Sequence, residues 1–548
     1  MPCLYGAHYI KKLKNSFISA LLCFIIVLNQ REKHMLNLTS FLDNSAYKYA
    51  DKPAFTFMDT TLTFAQVHVA ANQVANGLIA QGIKKGDKVA LSCFNLPYFP
   101  IIYFGILKMG AIVVPLSVLL KEDEIQFHLE NSHATAYFCF EGSADLPMGK
   151  MGFAAFNKAT RCTHFFNIMS KPADPSPFAG VKTLATLMNG MSSDFDTLST
   201  SAEDTAIIVY TSGTTGQPKG AELTHSNLVM NAMVCQEFIH IRADDTQLVV
   251  LPLFHIFAMT VQMNIGIYQG CHSILLPRFD ANDAYALMVK HKVSVFAGVP
   301  TMYWGLINNI DEASDISKIT EHLRITVSGG AALPLAVLSD FKQKFKLDII
   351  EGYGMSEGSP VVTFNQPDIG TKSGSIGTPI WGVQVKLIDE HGQEVAAGEK
   401  GELLYKGHNV MKGYYNRPEA NEETITDGWL HSGDIAIKDE DGFYFIVDRT
   451  KDMIIRGGLN VYPRQVEEVM IQHDAVSLVA VIGVPDDQMG EEIKAFVVLN
   501  DGQSVATDDL RAWTKERIAS YKYPRIIEFI DALPMSATGK ILKKELRN

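Results

Sequence analysis

Ten consecutive residues, Thr211-Ser212-Gly213-Thr214-Thr215-Gly216-Gln217-Pro218-Lys219-Gly220, bring together four hydroxyls, three glycines and one lysine. Uncovered backbone amides, hydroxyl donors and a single cation are the groups a polyphosphate needs. The spacing is not that of a Walker A loop, since Pro218 stands where that loop carries its Gly-Lys-Ser/Thr. By composition alone the segment could equally be a plain turn. A different chemistry is offered by Gly354-Met355-Ser356-Glu357-Gly358, which satisfies the G-x-S-x-G nucleophile elbow and is followed in order by Asp434 and His473. An elbow must run straight into a helix, however, and Ser359-Pro360-Val361-Val362-Thr363-Phe364 reads as extended. The polyphosphate reading is the stronger of the two.

The order of residues adds what composition lacks. From Tyr210, the string Y-T-S-G-T-T-G-Q-P-K-G resembles the signature of the adenylate-forming superfamily, which includes acyl-CoA synthetases, luciferases and peptide-synthetase adenylation domains. Further blocks similar to that family follow in its order. They are Leu251-Pro252-Leu253-Phe254-His255, Ser328-Gly329-Gly330-Ala331, Glu351-Gly352-Tyr353-Gly354-Met355-Ser356-Glu357, Gly428-Trp429-Leu430-His431-Ser432-Gly433-Asp434, Asp448-Arg449-Thr450-Lys451-Asp452 and Thr538-Gly539-Lys540-Ile541. The resemblance covers about residues 35 to 548 and is strongest to the fatty acyl-CoA synthetases.

The resemblance implies a reaction in two halves, using ATP, Mg2+ and coenzyme A. A carboxylate attacks the α-phosphate of ATP and pyrophosphate leaves; a thiol then takes the acyl group and AMP leaves. Such a site must neutralise charge and orient anions against one another. Thr211, Ser212, Gly213, Thr214, Thr215, Gly216 and Lys219 are expected to hold the β- and γ-phosphates. Glu357 is the expected Mg2+ ligand, because a hard cation prefers carboxylate oxygen, and Tyr353 the expected ring against adenine. A surface Glu and a core Tyr are the plainer alternatives. Gly330, Ala331, Glu351, Gly352, Gly354 and Ser356 complete the nucleotide pocket; the family often has Thr where Ser356 stands, and Ser keeps the hydroxyl.

Asp434 is expected to accept the ribose hydroxyls, with Arg449 assisting; an ion pair between the two is compatible with that task. Lys540, read alone, is one of several solvated lysines in a basic tail. Behind Thr538-Gly539 it resembles the family's catalytic lysine, although Met535 stands where the family often has Lys. Lys451 falls at the hinge about which the small domain turns between the half-reactions, so that one site serves both. Gly457 and Gly458 would then admit the pantetheine arm of coenzyme A, since residues without side chains allow close approach.

Phe254, His255, Gly329 and Gly330 are expected at the acyl pocket, with His255 gating it. Phe254-His255-Ile256-Phe257-Ala258-Met259 offers no Asp to pair with an ammonium, which favours an uncharged acyl group such as a medium- or long-chain fatty acid over an amino acid. An acyl-AMP ligase that loads a separate carrier protein and an aryl-CoA ligase are the alternatives within the superfamily. A non-catalytic lipid carrier is the alternative outside it, and such a carrier would not need Lys219, Glu357, Asp434 and Lys540 together.

These residues must be positioned by an α/β framework. Short apolar strands at Asp87 to Phe94, Ala111 to Pro115 and Thr135 to Phe140 alternate with helical patterns such as Pro97 to Met109, which argues for a layered fold with mostly parallel strands. Pro172 to Thr205 is rich in Pro, Ser, Asp and Thr and reads as a surface connection. Ala206 to Tyr210 reads as a buried strand that feeds the phosphate loop, and Thr224 caps a helix to about Phe238. A small antiparallel subdomain is expected from Val383 to Lys406, and a separate α+β domain after Asp452 with Leu510, Trp513 and Ile518 on one helix face. The expected division is an extension 1–34, a large domain 35–448, a hinge 449–451 and a lid 452–548.

Bulk properties set outer limits. With 548 residues, 47% of them hydrophobic, the chain can bury a large core and form more than one domain. Its formal charge of -12 gives no reason to expect nucleic acid as a partner. Seven scattered cysteines without a C-x-x-C pair suggest neither zinc nor a disulfide framework, and a reducing, cytoplasmic setting fits. Lys11, Lys12 and Lys14 precede an apolar run from Phe17 to Leu28. That run reads as upstream of a misassigned start near Met35, as a signal anchor or membrane-touching helix at the inner face, or as a core helix.

Overall fold

The computed structural model describes residues 36–211, 217–310, 316–449 and 451–547. The extension 1–34, the loop residues Ser212 to Gly216 and Thr450 lie outside these. Among the described residues four sheets form. The expected α/β class holds, with a large domain of layered sheets and helices and a carboxyl-terminal α+β domain.

The first sheet has eight strands, in the order Gly413–Tyr414, Lys219–Thr224, Thr205–Thr211, Ile112–Pro115, Lys88–Ser92, Ala134–Phe140, His164–Ile168 and Lys182–Thr183. From Thr205–Thr211 onward the strands are parallel. They read as unbroken apolar runs because helices cover both faces. One of those helices, Tyr98–Lys108, is buried along nearly its whole length. The second sheet has nine strands, with a parallel centre and antiparallel pairs at both edges. Its strands Val295–Gly298, Ile325–Ser328 and Ile349–Gly354 end on one side, the place where open α/β sheets present ligand-binding loops.

The expected Thr224 cap is present, and one expectation needs correction. Lys219–Thr224 returns as a strand antiparallel to Thr205–Thr211, with Thr211 facing Lys219. Only after that strand does Thr224 cap the helix His225–Ile239, accepting from the backbone N–H of Asn227. The correction is that the stretch from Pro172 to Thr205 is more than a surface connection. It supplies the edge strand Lys182–Thr183 and the helix Leu184–Met188, whose Leu184 and Leu187 are buried. Close packing explains this: a Cβ on Gly77 would meet the Leu187 carbonyl oxygen at 2.7 Å.

The third sheet is antiparallel and runs beyond the expected Val383 to Lys406, since Trp429–Lys438 and Tyr444–Arg449 belong to it. After Arg449 the lid builds a sheet of its own, in which Ile526–Phe529 lies parallel to Gly490–Leu499. Its core of Ile454, Val461, Val466, Val481 and Val497 is separate from that of the large domain. The lid helix Thr507–Lys515 ends before Ile518, and its buried residues are Leu510 and Thr514 rather than the expected trio. No described helix is long and apolar enough to cross a membrane. Cys93, Cys139, Cys162, Cys235 and Cys271 are buried and free.

Buried asparagines tie strand ends from different segments. The Asn95 amide donates to the carbonyls of Val249, Leu251 and Leu276, while its oxygen accepts from the Leu253 N–H at 2.9 Å. This one side chain thereby fixes the Leu251-to-His255 loop against the first sheet. Asn95→Ala strands those groups in the core and is expected to destabilise the large domain by roughly 2–4 kcal/mol, read as an earlier unfolding midpoint in urea.

Candidate active site

Glu357 lies in a tight turn, Ser356–Gly358, that follows the strand Ile349–Gly354. An extended strand, Val361–Phe364, comes next, so the helix that a hydrolase elbow requires is not there. Gly354, the last residue of that strand, cannot be replaced, since a Cβ there would fall 2.0 Å from the Pro360 carbonyl oxygen. One carboxylate oxygen of Glu357 accepts from the Thr211 hydroxyl at 3.2 Å and from the Tyr414 hydroxyl at 2.8 Å. The Lys219 ammonium stands 5.0 Å from the Tyr414 ring centroid. Lys219, Thr211 and Glu357 therefore converge on Tyr414, which sequence reasoning missed. Its short strand, Gly413–Tyr414, pairs with Lys219–Thr224 and brings it there.

A second group surrounds Asp434, which is 3% exposed. Its two oxygens accept from the Tyr353 hydroxyl at 2.5 Å and from the Arg449 Nε at 3.0 Å. Burial and the neighbouring carboxylate push the Tyr353 phenol well above its ordinary value, so it stays a donor. Arg449 and Asp434 are direct partners on antiparallel strands. Near the base of the same cleft, Glu351 is buried and accepts from the Leu333 N–H at 3.2 Å through one oxygen. Its other oxygen has no partner. Burial raises the Glu351 carboxyl to about 7.

Lys540 reaches this cleft from the lid. Its backbone N–H bonds Ser536 Oγ at 3.1 Å, and the carbonyl of Gly539 accepts from the Thr301 hydroxyl at 3.1 Å. Gly539 has φ +77° and leaves no room for a side chain, since a Cβ would lie 2.8 Å from Thr301 Oγ1. Burial, then the Arg449 charge, lower the Lys540 amine to about 8, with Asp434 opposing. Burial also lowers His255 to about 4, helped by the Lys540 charge. The ring is neutral at physiological pH, and its Nδ1 accepts from the Phe257 N–H at 3.3 Å, which puts the proton on Nε2. Phe254 is buried beside it. A Cβ on Gly329 would lie 3.3 Å from the Phe257 ring, a second contact not foreseen.

Gly330 sits at φ +79°, where an added Cβ would lie 3.6 Å from Val299, and the same Val299 meets the Gly539 turn. Gly457 and Gly458 are not brought to the cleft. They form a hairpin turn at φ +57° and +77° on the lid, and Gly457 packs on Met489 of that lid. Burial, then the Arg449 charge, lower the Lys451 amine. Among the described residues no cluster of three or more His, Cys, Asp or Glu could hold a metal unaided.

The sequence model described as AMP-binding enzyme matches residues 42–415, and that of the AMP-binding enzyme C-terminal domain matches residues 465–540. The chain belongs to the AMP-binding enzyme family. It is 36% identical over 536 residues to a long-chain-fatty-acid–CoA ligase of Bacillus subtilis (strain 168), covering 93% of this chain and 94% of the relative. It is likewise 36% identical over 490 residues to a feruloyl-CoA synthase of an Amycolatopsis species, covering 89% and 94%. A crystal structure of an anthranilate CoA ligase in complex with anthranoyl-AMP superposes with a TM-score of 0.85 at 29% identity, covering 93% of this chain and 96% of that one. The chain is thus an AMP-forming acyl-CoA ligase by family, and the Lys540 charge acts on both Asp434 and His255.

A lysine that neutralises anions must keep its proton. The kcat/KM for ATP in acid-dependent pyrophosphate exchange is expected to fall as pH rises through about 8. Lys540→Ala is expected to lower it roughly a hundredfold, and Lys540→Arg, charged throughout, to remove the falling limb.

Proposed function

We propose that this ligase activates a medium- or long-chain fatty acid, forming acyl-AMP and then acyl-CoA. In the first half-reaction a carboxylate oxygen bonds the α-phosphorus of ATP and the bond to the β-phosphate breaks, releasing pyrophosphate. In the second, the sulfur of coenzyme A bonds the acyl carbon and AMP leaves. The observation that carries the reading is the meeting of Tyr353, Arg449 and Lys540 from two domains around the buried carboxylate of Asp434.

The roles follow from chemistry. Lys219, Thr211, Ser212, Thr214 and Thr215, with the amides of Gly213 and Gly216, hold the β- and γ-phosphates. The unpartnered oxygen of Glu351 suits the amino group of adenine, stacked on Tyr353 and lined by Gly330, Ala331, Gly352, Gly354 and Ser356. Asp434 keeps lone pairs free for the ribose hydroxyls even with two donors already bound. Lys540 spans the attacking carboxylate and the α-phosphate. Glu357 with the Thr211 hydroxyl is a fitting pair of hard oxygen donors for Mg2+, which when bound would neutralise phosphate charge; phosphates and waters must complete its shell. For the second half-reaction the lid turns about Lys451, Gly457 and Gly458 admit pantetheine, and His255 yields the path to the acyl carbon.

Phe254, Phe257, Gly329 and Gly330 make an uncharged wall that suits a hydrocarbon, and the relative from Bacillus subtilis acts on long-chain fatty acids by name. The relatives named for feruloyl and anthranilate substrates support an aryl acid as the second reading. A panel of fatty acids of graded length beside benzoate and ferulate, assayed for AMP release with and without coenzyme A, separates the two. Release that needs the thiol and grows with chain length is expected. Preference for the aryl acids overturns the fatty-acid assignment, and release that ignores the thiol points to a carrier-loading ligase.

A further inference from the structure

Resting on that reading, we propose that Asp448 is a positioning residue for the adenylation half-reaction, holding Lys540 in the cleft by capping a lid helix from across the hinge. The lid helix Pro463–Met470 receives no side-chain cap from its own N-cap residue, Tyr462. Its first N–H groups have no partner within the helix, and its dipole favours an anion at that end. Asp448, on the last strand of the large domain, supplies both needs. Its Oδ2 accepts from the Arg464 N–H at 3.0 Å, and its Oδ1 accepts from the Arg449 N–H at 2.8 Å. The carboxylate is 7% exposed, so this bond is shielded from competing water.

Arg464 returns the grip. Its Nη1 donates to the Ile446 carbonyl at 2.6 Å, and its Nε pairs with Glu468 at 2.9 Å on the same helix. The capped helix is in turn bound to the loop that carries Lys540, because Glu467 pairs with Lys543 at 2.7 Å. Force therefore passes from Asp448 to the helix, from Glu467 to Lys543, and so to Lys540 three residues away. On the other side Asp448 adjoins Arg449, the partner of Asp434. Ile446 and Asp448 precede Lys451, whereas Arg464 follows it. Any turn of the lid about Lys451 that carries Gly457 and Gly458 toward the cleft must break both cross-hinge bonds. The clasp weights the lid toward the orientation that makes acyl-AMP and leaves the second orientation to be reached by releasing it.

The test separates the half-reactions. Asp448→Ala is expected to slow acid-dependent ATP–pyrophosphate exchange about fivefold, the shift that loss of one helix cap gives. Transfer from presynthesised acyl-adenylate to coenzyme A should keep its rate or rise. Asp448→Asn keeps one acceptor for the Arg464 N–H but sets its amide NH2 against the Arg449 N–H and lacks the charge, so exchange is expected to fall between Asp448→Ala and the wild type. Arg464→Met, which loses the bond to Ile446 but keeps an apolar stem, should repeat the split if Asp448→Ala does not fold. An equal loss in both half-reactions, or no change in either, overturns the assignment. Wild-type protein that exchanges pyrophosphate with none of the acids offered would instead overturn the proposed function, and this inference with it.

Discussion

A carboxylate removed from water has to be supplied with donors or give up its charge. Asp434 is supplied with donors by Tyr353 and Arg449, which reach it from two other strands. Tyr353 belongs to the nine-stranded sheet, while Asp434 and Arg449 face one another on the small antiparallel sheet. The pairing requirement therefore fixes how one sheet sits on the other. A slip of one residue between the strands carrying Asp434 and Arg449 would turn the guanidinium to the opposite face and leave the charge unpaired. Much of the cleft inherits its geometry from this one condition, including the position of the Tyr353 ring.

The same condition bears on the proposed turn of the lid. Arg449 ends its strand and is held by Asp434, which anchors the large-domain side of that turn. The lid has its own apolar core and meets the large domain partly through polar contacts. These include the Thr301 hydroxyl on the Gly539 carbonyl and the Lys400 ammonium 4.0 Å from the Tyr462 ring centroid. A body built this way can move without exposing the core of either part. A rigid pivot and a soft interface are what one cleft needs if it is to serve two reactions in turn.

How much of this could be read from the chain depended on the range of the interactions. The parallel strands Ile112–Pro115, Ala134–Phe140 and Thr205–Thr211 were legible because burial on two faces leaves an unbroken apolar run. The return strand Lys219–Thr224 was not, since Ala221 and Leu223 alternate with Gly220 and Glu222 over too few residues to stand out beside the strong cap signal of Thr224. Leu187 is buried against Gly77, which lies far away in sequence and leaves room for it. Motif order placed Glu357, Asp434, Arg449 and Lys540 on the page as candidates. Tyr414, Phe257 and Asn95 carried no such signal, because each acts through a contact with a segment distant in the chain or through a ring packed on a glycine.

Lys540 is left with an unresolved demand. Its ammonium is drawn down to about 8 because burial and the Arg449 charge outweigh the attraction of Asp434. A buried cation short of negative charge is costly until an anion joins it. Under the proposed function, the acid's carboxylate and the phosphates of ATP are those anions. Docking of the lid and binding of the substrates then favour one another, and the coupling must be equal in both directions. When pyrophosphate departs it takes negative charge with it, and part of the attraction that holds Lys540 in the cleft goes as well. On that reading the group assigned to acyl-adenylate formation is also the one whose grip weakens once that step is complete, which would free the lid to turn for the thiol.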